Sequence, residues 1–356
     1  MFKVISEPES PLENPYISVV VTAYDRKEFI PEAVKSVIDQ TLERSKYEII
    51  VVKNYLDPEI DKFLKENDVF NIYTDEKPLG AKLAYGIEKS MGEVVSFLED
   101  DDLYLPFKLR EVYEVFQENK DVVYFRNEII KTRSVKAALV GLDENEIKTK
   151  KLMMFSRYRL NTVRDIYFLI REYGAGVNTS SMSIGRNYYL PYVESICNFI
   201  DLLDFSLFYL PFFMNGDKIA LAFEKNPLSI WRIHESLSNT SYNPTMNEIA
   251  SKHLRNARGS LDQMTMLIEM SKKYLSHENE AALKKYFKLT KNAYNSGIKL
   301  IEGKRLRGEE IIDLYKVGVY HRDPRILGSI FFAIVSYFSP GISSRIFKRA
   351  LMYLHD

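Results

Sequence analysis

Two hydrophobic periods take turns along residues 1–125, and no other feature limits the fold as strongly. Ile17-Ser18-Val19-Val20-Val21 is a β-branched run of strand length, after which Ile30, Ala33, Val34, Val37, Ile38 and Leu42 recur at spacings that place them on one helical face. The exchange then repeats. Strands over 48–52 and 69–73 bracket a helical stretch over 60–64, and Leu79, Leu83, Ile87 and Met91 follow at four-residue steps with Gly92 as a helix C-terminal cap. A fourth strand over 93–98 runs straight into Glu99-Asp100-Asp101-Asp102. Pro106 then opens a helix carrying Leu109, Val112, Tyr113 and Phe116 on one side, and a strand over 122–125 closes the series. This order predicts a mostly parallel sheet with helices on both faces.

Sheets of this kind hold ligands beyond the carboxyl ends of their strands. Thr22, Tyr24, Asp25 and Arg26 fall there after the first strand, Lys53 and Asn54 after the second, and the acidic run after the fourth. Four consecutive carboxylates repel one another unless a cation offsets the charge. A hard divalent ion, Mg²⁺ or Mn²⁺, takes carboxylate oxygens together with phosphate oxygens, which suits a nucleoside diphosphate. The plainer reading is a solvated acidic loop capping the next helix.

Several motifs in register resemble the family 2 glycosyltransferases: ISVVVTAYDR at 17–26, AVKSVIDQT at 33–41, EIIVV at 48–52, GEVVSFLEDDD at 92–102 and PFKL at 106–109. A second segment, from Asp204 to Ser238 with its Arg232-Ile233-His234, is similar to the later part of the same domain. The resemblance implies a GT-A fold, an α/β Rossmann-like mixed sheet flanked by helices, and transfer of a sugar from a UDP- or GDP-sugar with inversion. By the same resemblance Glu99 faces the ribose, Asp100 lies beside it in the nucleotide-sugar site, Asp101 takes the metal position, and Asp102 supports or shares it. Thr22, Ala23, Tyr24 and Arg26 line the nucleotide pocket, Asp204 is the general base, and His234 sits where some relatives ligate the metal or touch the diphosphate. The chain departs from the pattern where relatives carry an acidic pair after the second strand, since Lys53-Asn54 stands there and leaves Asn54 as the base-contacting group. It departs again in the third helix, where Lys82 is the candidate for a phosphate contact. Otherwise Lys53 and Lys82 read as solvated charges. The segment 179–181, Thr-Ser-Ser, resembles the acceptor-side loop of relatives.

The GT-A domain is expected over 1–239 and a C-terminal helical region over 240–356. Residues 148–164 read as a basic helix within a middle region of weak pattern. Forty-nine basic residues balance forty-nine acidic ones, which argues against non-specific nucleic-acid binding. The single Cys197 gives no internal disulfide, and the amino terminus has no signal-peptide pattern, so the expected location is cytoplasmic. The apolar run 326–338 is too short to span a bilayer. Interrupted by Gly328, Ser329 and Ser336, it reads as a helix packed on its own bundle, with a peripheral membrane anchor as the alternative. The last helices otherwise read as packing or homo-oligomer elements. The acceptor is expected to be a glycan or a lipid-linked saccharide. A non-catalytic sugar-nucleotide-binding scaffold is the alternative function, and a nucleotidyltransferase is disfavoured because no glycine-rich phosphate loop follows the first strand.

Overall fold

The computed structural model describes the chain apart from residues 1, 10–11, 77, 141–150, 158–159, 161, 200–202, 215–218, 235–244, 275–279, 322–323 and 354–356. It packs as two compact units, Met1–Arg159 with Tyr173–Ile233, and Leu160–Glu172 with His234–Asp356. The expected boundary at Asn239 lies outside the described residues.

The first unit is built on one mixed sheet. Its strands are β1 (Phe2–Ser6), β2 (Ile17–Ala23), β3 (Tyr47–Lys53), β4 (Phe70–Thr74), β5 (Val94–Glu99), β6 (Leu103–Tyr104), β7 (Val122–Thr132), β8 (Leu152–Ser156), β9 (Met182–Gly185) and β10 (Ala220–Arg232). They order as β1-β4-β3-β2-β5-β9-β7-β10-β6, with β8 also on β10. The expected parallel block is β4-β3-β2-β5. Antiparallel β9 then joins β5 to β7, and β1 adds antiparallel to the β4 edge.

Four helices of this unit follow the expected periodicity: α1 (Ile30–Ile38), α2 (Pro58–Glu66), α3 (Leu79–Lys89) and α4 (Lys108–Glu118). Along β2 and β3 alternate residues serve opposite faces. Ile17, Val19, Val21, Ile49 and Val51 join Val34, Val37, Leu109 and Val112 of α1 and α4 in one buried core. Val20 faces the other way, onto α3 at Gly86, where an added Cβ would lie 2.4 Å from Val20 Cγ1. Gly92 is not the cap of α3. The helix ends at Lys89 with Ser90 at its C-cap, and Gly92 lacks a side chain because a Cβ would meet Ser18 N at 2.7 Å. The expected helix over 148–164 is also corrected: 152–156 is strand β8, an edge partner of β10, and helix starts only at Val163.

The remaining helices are α5 (Val135–Val140), α6 (Val163–Tyr173), α7 (Arg186–Tyr189), α8 (Val193–Cys197), α9 (Leu203–Tyr209), α10 (Met246–Tyr274), α11 (Glu280–Ile301), α12 (Gly308–His321), α13 (Pro324–Phe338) and α14 (Pro340–Tyr353). Helices are the secondary structure of the second unit among its described residues, with no strand. Most of α6 belongs to it: Tyr167 is fully buried, its ring centroid lies 4.8 Å from that of Tyr286, and its hydroxyl is 3.1 Å from Thr290 Oγ1.

Candidate active site

Strand register brings the acidic run to the same level as the ends of β2 and β3. Thr22 pairs with Val52 on one side and Glu99 on the other, and Ala23 pairs with Lys53. The chain then turns sharply: Asp100 N donates to Thr22 O at 3.1 Å, and Tyr24 N donates to Asp100 Oδ2 at 3.1 Å. Asp25 adopts a positive φ of 54°, a conformation that suits Asp because a short polar side chain can bond locally. Asn54 holds it there, accepting from Asp25 N at 2.9 Å and donating to Asp25 Oδ1 at 2.8 Å. The Asn54 amide thus ties the β2 and β3 loops together.

Oxygens of Glu99, Asp101 and Asp102 lie within 4.8 Å of one another. Asp101 and Asp102 are buried, while Glu99 is half-buried. Arg26 lies over this cluster and bridges Asp100 Oδ1 and Asp101 Oδ2 with its two terminal nitrogens. Asp100 is fully buried, and that burial, reinforced by Asp101 and opposed by Arg26, raises its pKa to about 7. Asp102 is likewise raised to about 7, by burial and then by Asp101. Its Oδ2 accepts from Asn178 Nδ2 at 2.8 Å and Ser180 Oγ at 2.7 Å, and its Oδ1 accepts from Arg232 N at 3.1 Å.

The segment Thr179–Ser181 packs against the acidic run. All three residues are buried, and Ser180 Oγ also accepts from Glu99 N at 3.0 Å, so the turn holds the acidic run from behind. Lys108 completes that wall. Its ammonium is fully buried and donates to Ser180 O at 2.6 Å, Asn127 Oδ1 at 3.0 Å and Ser229 Oγ at 3.1 Å. Burial pushes its pKa well down, although these acceptors match all three of its protons. Sequence reasoning passed over Lys108 and Asn178. The one available signal was a lysine on the apolar side of α4, one position before Leu109.

Two further readings are corrected. Lys53 and Lys82 are not solvated, since both are fully buried. Lys53 Nζ pairs with Asp61 Oδ1 at 2.8 Å and donates to Tyr55 O at 2.6 Å. Lys82 Nζ lies 4.9 Å from the centroid of the Tyr24 ring and donates to Glu76 O at 3.1 Å. Burial lowers the Lys82 pKa, with Asp25, Asp100 and Glu76 opposing. The structure thus brings Tyr24, Arg26, Asn54, Lys82 and Glu99–Asp102 to one end of the sheet, with Thr22 and Ala23 buried in its floor. Asp204 lies in α9, and its side chain is outside the described residues. His234 opens the second unit and is not one of the three clustered acids.

A family model described as "Glycosyl transferase family 2" matches residues 18–174, the stretch that carries this floor, its acidic run and, of its wall, Lys108 and Asn127. The match takes in less than half of the chain, and over these residues the sequence is similar to that family. A glycosyltransferase of Rickettsia typhi, itself called uncharacterized, is 31% identical over 142 residues, covering 38% of this chain and 44% of the relative. Glycosyltransferase AglE of Haloferax volcanii is 30% identical over 93 residues, covering 24% of this chain and 31% of that one. The matched stretch thus spans less than half the length of these curated relatives. S. aureus TarS 1-349, solved in complex with UDP-GlcNAc, superposes with a TM-score of 0.50 at 14% identity, covering 95% of this chain and 91% of that one. The fold of the chain is accordingly GT-A.

The donor set at this site fits a hard divalent cation. It is all carboxylate, its oxygens are close enough to share one ion, and two neighbouring acids have pKa values raised in the absence of a cation other than Arg26. Asp101 could hold it, with Glu99 at the edge of the cluster. Asp102, with both oxygens already bonded, fits a supporting role.

Proposed function

We propose that this family 2 protein is a metal-dependent glycosyltransferase that moves a sugar from a nucleoside-diphosphate donor to a hydroxyl of a glycan or lipid-linked saccharide, inverting the anomeric carbon. One observation carries the reading: three carboxylates converge at the carboxyl ends of parallel strands, beside a half-buried tyrosine and a buried lysine. The UDP-GlcNAc complex of TarS supports a UDP-sugar as donor.

A divalent ion held at this cluster would supply charge stabilisation to the departing diphosphate. The protein's own groups do the rest. The half-buried Tyr24 ring offers a face for the base, and Lys82 beneath it adds positive charge near the phosphates. Glu99 stands ready to accept from a ribose hydroxyl. Asp204 takes the proton of the acceptor hydroxyl onto a carboxylate oxygen as that oxygen attacks the anomeric carbon from the side opposite the diphosphate. The C–O bond to the diphosphate breaks as the new glycosidic bond forms. Lys53, in place of the usual acid, is tied to Asp61, which leaves base recognition to backbone groups and Tyr24.

The test is release of UDP or GDP from a panel of nucleotide sugars with Mn²⁺, with and without acceptor saccharides. Wild type is expected to release one of them, while Asp101→Ala and Asp204→Asn lower kcat by about 100-fold or more. No release from any donor, with nucleotide binding proven by calorimetry, sinks the transferase reading. That result would instead favour a sugar-nucleotide-binding protein without turnover, which has one observation on its side: Arg26 already neutralises Asp100 and Asp101.

A further inference from the structure

The hairpin α13–α14 buries small and hydroxylic residues beside its apolar contacts: Ala333, Ser336 and Ser343 are 0% exposed, and Phe332, Phe347 and Leu351 pack inward with them. The hydroxyls are satisfied within the unit, Ser336 Oγ donating to Ala333 O at 2.6 Å and Ser343 Oγ to Phe332 O at 2.6 Å. Its outward positions are large and apolar. Phe338 is 79% exposed, Phe331 62% and Ile334 50%, and the spacing i, i+3, i+7 puts them on one stripe of α13. The run packs on its own bundle as expected, through Ala333, Ser336 and Phe332, and leaves this second stripe uncovered. Ser336, which breaks its hydrophobicity, points inward, while Phe331 and Phe338 point out.

Helix α14 continues the surface with a charge. Ile342 and Ile346 are exposed, and Arg345 and Arg349 fall within the same outward arc of roughly 100° at about 100° per residue. Residues 324–355 contain Arg325, Arg345, Lys348 and Arg349 and no aspartate or glutamate, in a chain whose charges otherwise balance. An exposed aromatic stripe joined to an acid-free basic stripe matches a surface that is apolar just below a layer of negative charge. We propose that α13–α14 is a docking face for an anionic phospholipid bilayer, on which the hairpin lies with Phe331 and Phe338 inserted among the acyl chains and Arg345 and Arg349 at the phosphates. No helix among the described residues is long and apolar enough to cross a membrane, so the contact is peripheral. A second copy of the chain fits the face less well, because a two-fold pairing would set the same arginines against one another.

Full-length protein is sedimented with vesicles of phosphatidylcholine alone and of phosphatidylcholine with phosphatidylglycerol, and its mass is measured without lipid. Wild type is expected to pellet with the anionic vesicles and far less with the neutral ones. Phe331→Ser with Phe338→Ser should weaken binding at least about tenfold, and Arg345→Gln with Lys348→Gln and Arg349→Gln by about 100-fold at low salt. Unchanged melting curves would show that these exposed substitutions leave the fold intact. Equal pelleting of wild type and variants overturns the proposal, as does an absence of binding to anionic vesicles. So does a wild-type dimer that the phenylalanine pair converts to monomer while lipid binding stays nil. Nucleotide binding, read separately by calorimetry, does not bear on the outcome.

Discussion

Arg26 is the residue on which the acidic site turns. Its guanidinium satisfies Asp100 and Asp101 at once, so a divalent ion reaching Asp101 must compete with a charge already in place. Arg26→Gln is expected to melt at a lower temperature than wild type without metal, yet to bind Mn²⁺ several-fold more tightly in a calorimetric titration; weaker Mn²⁺ binding would refute the competition. The same burial sets a pH dependence. Asp100 and Asp102 have folded pKa values near 7 against an ordinary 3.8, so between those limits the native state holds protons that the unfolded chain has released. Stability of the metal-free protein should therefore fall as pH rises from about 4 to about 7. Melts in chelator across that range test the slope, and a rising profile would contradict it. Much at this scale was legible: the acidic run, Tyr24 and Arg26 stand next to strand ends that periodicity alone locates. Lys53 and Lys82 were not, because their burial depends on Asp61, Tyr55 O and Glu76 O, partners that only the folded chain brings round. Ser180 and Asn178 escaped for the same reason, lying nearly eighty residues from the carboxylate they hold.

At the scale of elements, helix α3 sits so close to the sheet that side-chain volume decides stability. Gly86→Ala drives a methyl into Val20 and should cost about 1–3 kcal/mol. Gly297→Ala, in α11 with nothing within 4 Å of the added carbon, should instead stabilise by about 0.5–1 kcal/mol. Urea unfolding midpoints for the two variants should move in opposite directions; a shift of the same sign would remove the packing argument. The alternating strands and helices up to β7 were readable because each buries one face at its own period. Strand β8 was not, since an edge strand with basic flanks and exposed Met153 and Met154 carries neither pattern strongly. Strand β1 likewise looks like an unremarkable polar terminus until β4 gives it a partner.

For the whole molecule, the informative residue is Tyr167. It lies inside the stretch matched to the glycosyltransferase family, yet its ring is buried among Tyr286 and Tyr320 of the helical unit. Tyr167→Ala should lower the melting temperature by removing about 3 kcal/mol of packing while leaving nucleoside-diphosphate affinity unchanged. The reverse pattern, normal melting with lost affinity, would show that the residue serves the site instead. Sequence alone suggested two contiguous pieces, because hydrophobic period reports the type of an element but not the core it joins. Since residues 160–172 leave the sheet-bearing unit, enter the helical one and return, the polypeptide passes between the two three times. Neither half can be moved to another protein by a single recombination break, and a gene truncated after codon 233 would yield a product with an orphaned aromatic helix exposed to water.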